Sequence, residues 1–374
     1  MIDILLKLGG LQALMLAVFL FKKRTNNNAN LILAFLIVSF GVSCFFYGFN
    51  SIAFFLNYPH LIRLDWGIPL LFGPLIYLYT VSLINGESSI QKQYIHFLPY
   101  LLNLIILVPF FIKSSEEKIQ ILNYFTASIT SGIDKYYYYN FFLRLAISII
   151  SLSYAYKSIK VVHDYRRKLL NEYSSTEKMK LDWLRILLYS YVIISFIFIL
   201  VNAVTFGDRY PHFDYTVYYF LFIFIFIYML SYKALSQPKI VILTSIDIPQ
   251  SNRKRSLKKE MKPSIEAIQL QEYIQKKKPY LNGELTASEL AQELKISRHQ
   301  LSQILNEELG KSFYDFINEY RSEEFKERIQ LPENNHLTLL GIAFDSGFNS
   351  KTTFNTIFKK TTGLTPSQYK KTLK

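Results

Sequence analysis

Near the C-terminus, Lys351, Thr352, Asn355, Thr356 and Lys359 fall on one side of a helical period, and Phe354 and Phe358 fall on the other. A face of amides, hydroxyls and ammonium groups has the chemistry of nucleic-acid contact. Amides pair with adenine edges, and cationic groups pair with guanine or phosphate oxygens. Such a face must be held out by a scaffold. The stretch TLLGIAFDSGFNSKTTFNTIFKKTTGLTPSQY supplies one, because it reads as a short helix, a tight turn and a second helix. Ala343 is small enough for a close helix crossing, and Gly347 suits a turn that requires positive φ. Phe348 closes the turn, and Ser350 caps the helix that follows.

An offset copy lies upstream. Leu301 aligns with Phe354, Leu305 with Phe358, Gly310 with Gly363, Ser312 with Thr365 and Phe316 with Tyr369, all at one constant offset. Ala291 and Ile296 match Ala343 and Phe348 once the second unit is given one extra turn residue. Ser297 and Gln300 have the spacing of a capping box, which leaves Arg298, His299, Gln300, Ser302, Gln303 and Asn306 facing outward. Phe313, Phe316, Ile317 and Tyr320 form the apolar stripe of a long helix joining the copies. A rigid connector is needed to hold two such helices about 34 Å apart, the spacing of successive major grooves.

The two units, LTASELAQELKISRHQLSQILNEELGKSFYDFINEYR and IAFDSGFNSKTTFNTIFKKTTGLTPSQYKK, resemble the DNA-binding domain of the AraC/XylS family of transcription regulators. Three positions depart from that pattern: Lys295 stands where the first turn often has Gly, Phe325 where the joining helix often has Ala, and Thr356 where the second recognition helix often has Arg. The resemblance implies a domain of two helix-turn-helix units that binds double-stranded DNA, and transcription activation more often than repression. It implies Arg298, Gln300, Gln303 and Asn306 as base readers in the first unit, and Lys351, Thr352, Asn355 and Thr356 in the second. Lys359, Lys360 and the helix N-termini near Ser312 and Thr365 would hold phosphates. His299, Ser302, Ser350 and Thr353 complete the implied DNA-binding set. RNA polymerase and a second copy of the chain are further candidate partners.

The rest of the 374-residue chain is of another kind. Seven apolar runs have the length to cross a hydrocarbon core of about 30 Å: Ile4 to Phe21, Asn30 to Phe49, Trp66 to Ile84, Tyr94 to Ile112, Tyr139 to Ile159, Leu181 to Phe206 and Tyr215 to Leu235. The first is followed, not preceded, by Lys22, Lys23 and Arg24, which reads as a retained span rather than a cleaved signal peptide. With the N-terminus outside, the inner loops hold Lys22, Lys23, Arg24, Lys92, Lys160, Arg166, Arg167, Lys168, Lys178 and Lys180. The outer loops then hold Arg63, Lys113, Lys118, Lys135 and Arg209. The excess of basic residues inside places the C-terminus in the cytoplasm and the chain in the cytoplasmic (inner) membrane, with lipids as partners. The net charge of +14 agrees with both a membrane protein and a DNA-binding one, so its distribution carries the argument.

Within the spans, Pro69, Gly73 and Pro74 predict a broken third helix, and Pro99 and Pro109 predict kinks in the fourth. Arg63, Asp65, Arg144, Asp182 and Arg185 lie at span ends, where snorkelling to the interface is expected. Lys113 to Tyr138 reads as an outer loop ending in an aromatic belt that starts at Tyr136, and Lys160 to Lys180, with HDYRRK, reads as a basic inner loop near anionic lipid. Ser236 to Lys262 reads as a basic linker containing Arg253, Lys254, Arg255, Lys258 and Lys259. Pro263 to Lys277 reads as the opening helix of the last domain, with Ile265, Ile268, Leu270 and Ile274 among its apolar positions.

The expected fold is therefore all-α. It consists of a seven-helix transmembrane sensor over 1–235, a linker over 236–262 and a cytoplasmic double helix-turn-helix domain over 263–374. Cys44 is the only cysteine and the histidines are scattered, so the sequence offers no disulfide framework, no metal site and no cofactor. It contains no nucleotide-binding motif or catalytic acid cluster for a membrane-bound signalling enzyme. The alternative expectation is a sensor or transporter-like protein whose C-terminal domain binds other proteins. The signal ligand is not specified by these residues.

Overall fold

A computed structural model describes residues 2–22, 27–49, 51–85, 93–128, 135–176, 181–207, 216–235 and 264–373. Helices dominate these residues and none of them forms a strand; one isolated backbone bridge joins Tyr173 and Thr286. The chain divides into two compact units. The first comprises Met1–Val162 and Leu181–Thr244, and the second comprises His163–Lys180 and Ser245–Lys374. The basic linker, together with Lys23, Arg24, Lys92, Lys178, Lys180 and Arg209, lies outside the described residues.

The first unit contains α1 (Ile2–Lys22), α2 (Asn27–Gly48), α3 (Ile52–Asn57), α4 (Phe72–Asn85), α5 (Leu98–Phe111), α6 (Ser115–Ser128), most of α7 (Lys135–Glu172), α8 (Asp182–Gly207) and α9 (Thr216–Leu235). Among the described residues, six helices are long and apolar enough to cross a membrane, and Thr216–Leu230 adds a shorter apolar stretch. Small residues let α1 and α2 approach closely: a Cβ on Gly10 would lie 2.9 Å from the carbonyl oxygen of Gly41. Phe40 on α2 packs on Phe72 and Phe226, with ring centroids 4.0 and 5.5 Å away. Met15 and Phe19 on α1, Ile105 and Ile106 on α5, and Ile193 and Phe196 on α8 are left exposed. Apolar surface on this scale is costly in water and is compatible with a lipid surrounding.

Several expectations change here. The third span is broken as expected: a 3-10 turn over Ile68–Leu71, entered through Gly67 at φ 87°, precedes α4. The expected outer loop from Lys113 contains helix α6, whose Lys118 is buried and donates to the Phe111 carbonyl at 2.9 Å. Arg63 does not snorkel. It is buried, with its guanidinium 4.2 Å from the Trp66 ring centroid and 4.5 Å from that of Phe110. Arg144 donates to Asn202 at 2.9 Å. The basic inner loop from Lys160 is also helical, because α7 continues to Glu172. Val162, Tyr165 and Leu169 recur at helical spacing on its buried side, while Arg166, Arg167 and Lys168 stay exposed.

The second unit adds α10 (Ile265–Lys277), α11 (Ala287–Glu293), α12 (Arg298–Gln303), α13 (Phe313–Arg328), α14 (Leu339–Asp345), α15 (Lys351–Thr362) and α16 (Pro366–Thr372). It contains two cores. Leu270 and Ile274 of α10 join Leu290, Leu301, Leu305 and Phe316 in the first. Ile342, Phe348, Phe354 and Phe358 form the second with Phe325. The single helix α13 serves both, since Phe313, Phe316 and Ile317 face the first core and Phe325 the second. On α10 the inward series is Ala267, Leu270 and Ile274, so Ile265 and Ile268, expected among its apolar positions, point outward.

Candidate nucleic-acid interface

The second helix-turn-helix is held by backbone geometry before any side chain is considered. Thr338 caps α14 by accepting from the Gly341 amide at 3.0 Å. Ala343 is fully buried beneath the crossing, and its carbonyl accepts from the Phe348 amide at 3.1 Å, closing the turn. Gly347 has φ 92°, and a Cβ on it would lie 2.2 Å from the Tyr280 carbonyl oxygen, so both conformation and space require glycine. The first unit closes the same way: the Ile296 amide donates to the Ala291 carbonyl at 3.0 Å, with Lys295 at φ 55° in the glycine-like position. The extra residue of the second unit is Asn349, whose side chain donates to the Gly283 carbonyl at 2.8 Å.

α15 presents its expected face. Lys351, Thr352, Asn355, Thr356 and Lys359 are all exposed. Among the described residues none of these side chains makes a hydrogen bond or ion pair. Ser350 is the cap, accepting from the Thr353 amide at 3.1 Å. Thr353, part of the implied DNA-binding set, is buried beside Phe354 and lies off the outward face. Lys360 is exposed but paired with Asp315 of α13 at 2.7 Å. Asn355, Thr356 and Lys359 border an open concavity with Thr365 and Pro366 at the start of α16. The helix contains no acidic residue.

α12 is built differently. It is α-helical only over Arg298–Gln303 and continues as a π-helical turn over Ile304–Glu308. The polar groups expected to read bases have partners within the unit. The Gln300 side chain accepts from the Ser297 amide at 2.8 Å, completing the capping box. Gln303 donates to Glu307 at 3.2 Å, and Asn306 donates to the Ser302 carbonyl at 2.9 Å. His299 is exposed. Arg298 donates through Nε to Glu172 at 2.6 Å and through Nη2 to the Asn171 carbonyl at 3.2 Å. Ser312 caps α13, but its hydroxyl also donates to Asp315, so a carboxylate already occupies that N-terminus.

Glu172 and the residues around it were not singled out by sequence reasoning. Ser174 is fully buried; its amide and hydroxyl donate to the Leu285 carbonyl at 3.2 and 2.7 Å. Its own carbonyl accepts from Asn318 at 3.0 Å and Arg321 at 3.1 Å. The buried Arg321 guanidinium also donates to the Tyr280 and Asn282 carbonyls, both at 2.8 Å. Burial lowers its pKa to about 10, so it keeps its charge at neutral pH. Glu324, four per cent exposed, accepts from Lys278 at 2.7 Å, Arg328 at 2.8 Å and Tyr280 at 3.0 Å. Burial alone would raise the Glu324 carboxyl, but these donors outweigh it and hold its pKa below the usual carboxylate value. One signal for the cluster was legible: Arg321 lies midway between Ile317 and Phe325, both fully buried and each four residues away on the same side of α13.

Two closely packed helix-turn-helix units sharing one connecting helix define the second unit as a DNA-binding type of domain. Residues 290–372 match the family described as a helix-turn-helix domain, and this part of the chain is similar to the AraC type. That match covers less than half of the chain, and no curated protein and no solved structure matches it.

Proposed function

We propose that the protein is a membrane-tethered one-component transcription regulator. Its apolar helices cross the cytoplasmic membrane seven times with the N-terminus outside, and its C-terminal domain reads specific DNA through α12 and α15 in successive major grooves. The observation that carries this reading is the open, acid-free polar face of α15, in a chain that also contains six helices apolar enough to span a bilayer. In this reading residues 1–235 form the sensor, 236–262 the linker and 263–374 the DNA-binding domain. A signal biases two arrangements of the spans, and the covalent connection transmits the choice without a phosphorelay. Basic residues on the cytoplasmic side add attraction to anionic lipid or to phosphates.

The test is genome-wide DNA crosslinking in cells with the intact protein and with a Gln303→Ala, Asn355→Ala variant at equal membrane abundance. Discrete sites sharing a recurring sequence, lost in the variant, are the expected result. No enrichment, or enrichment indifferent to both substitutions, contradicts it.

A further inference from the structure

We infer that Glu172 is an intramolecular competitor of DNA for Arg298, so that the first recognition helix reads bases only after this carboxylate lets go. The inference rests on the DNA-reading function proposed above. Oε2 of Glu172 accepts from Nε of Arg298 and lies 2.6 Å from Nη2, so the carboxylate covers one nitrogen edge of the guanidinium. That edge is one through which arginine forms a two-point pair with guanine or a phosphate, and it cannot serve both partners at once. The pair is well shielded, with Glu172 four per cent and Arg298 eighteen per cent exposed. Ser288 holds the other carboxylate oxygen, donating to Oε1 at 2.6 Å.

The competitor is placed by a built anchor. Ser174, two residues on, is fixed to Leu285, Asn318 and Arg321, and Tyr173 bridges to Thr286. Unhooking Ser174 would strip several hydrogen bonds from the fully buried Arg321 guanidinium, whereas releasing Glu172 breaks one shielded ion pair whose arginine still reaches solvent. The anchor therefore stays while the carboxylate swings. Glu172 is also the last residue of α7, whose residues up to Val162 belong to the apolar unit, so a change in that helix has a direct covalent route to the Arg298 contact. α15 carries no equivalent: among the described residues its reading face has no intramolecular partner. DNA can thus be held through the second helix while the first is gated.

The experiment uses the full chain in lipid nanodiscs and a duplex selected by the wild-type protein from a random pool. If the competitive state lowers the binding-competent fraction, Glu172→Gln should tighten binding about three- to thirty-fold. Ser288→Ala, an exposed helix position that keeps the fold if the first variant fails to, should tighten binding by a smaller factor. Arg298→Ala should weaken binding, and Glu172→Gln in its presence should then have no effect. Equal or weaker binding by both Glu172→Gln and Ser288→Ala to a duplex the wild type still selects would overturn the inference and leave the DNA-reading function intact. If no duplex sequence is enriched at all, the proposed function fails and the competition falls with it.

Discussion

α12 and α15 occupy corresponding places in two copies of one motif, yet they meet solvent differently. Both sit on buried apolar pairs at the same offset, Leu301 with Leu305 and Phe354 with Phe358. Both are followed by a glycine of positive φ, Gly310 at 65° and Gly363 at 76°. On the outer faces the likeness ends. α15 offers three lysines, two threonines and an asparagine with no acid, and among the described residues only Lys360 of these is paired. α12 has its arginine in an ion pair, its first glutamine in a cap, and Glu307 and Glu308 in the turn that extends it. The lesson is that a duplicated scaffold conserves packing and caps while the two reading surfaces are set separately. One is presented, and the other is conditional.

The comparison can be broken at its scaffold first. Gly347→Ala forces a Cβ into the Tyr280 carbonyl at a left-handed position, and the expected loss is about 3 kcal/mol or more. Hydrogen exchange should then show lost protection across α14 and α15. Next in size is the reading face: Asn355→Ala should weaken binding to a selected duplex by about 1 to 3 kcal/mol and relax preference at one base pair. Acid comes third. Because the folded Glu324 carboxyl titrates below its unfolded value of about 4.3, its contribution is complete above that pH and is lost as pH falls through the folded value. Glu324→Gln should therefore lower stability at neutral pH and flatten the acid side of an unfolding-versus-pH curve. Lys359→Ala should leave sequence preference alone and reduce the salt slope of binding by about one. The smallest effect is Lys295→Gly, which relieves the φ 55° of the first turn and should stabilise it by about 1 kcal/mol or less in chemical denaturation.

Much of this was legible in the sequence because it is periodic or local. The Phe354/Phe358 face, the caps at Ser297, Ser350 and Thr365, and the glycines at 310, 347 and 363 are each set by residues within a few positions. Lys295 was legible as an exception, and it adopts the backbone of the glycine it replaces. What was not legible depends on distant partners. Nothing near Glu172 announces Arg298, which lies 126 residues away, and the basic run Arg166 to Lys168 suggested a loop where three buried side chains instead sustain a helix. The burial of Thr353, which the implied DNA-binding set includes, follows from its place one residue before the inward Phe354. Arg63 was expected at an interface, yet Trp66 and Phe110 give it two aromatic faces within the unit.

The most direct test of the central claim, that one chain holds apolar spans and a DNA reader with two unequal recognition helices, is a base-by-base binding scan. Full-length protein in nanodiscs would be measured against single-base substitutions of its selected duplex, alongside Asn355→Ala and Gln303→Ala variants. The account predicts two clusters of sensitive base pairs about one helical turn apart. The stronger should disappear with Asn355→Ala, and the weaker with Gln303→Ala. A single cluster, or two clusters that neither substitution alters, would contradict it.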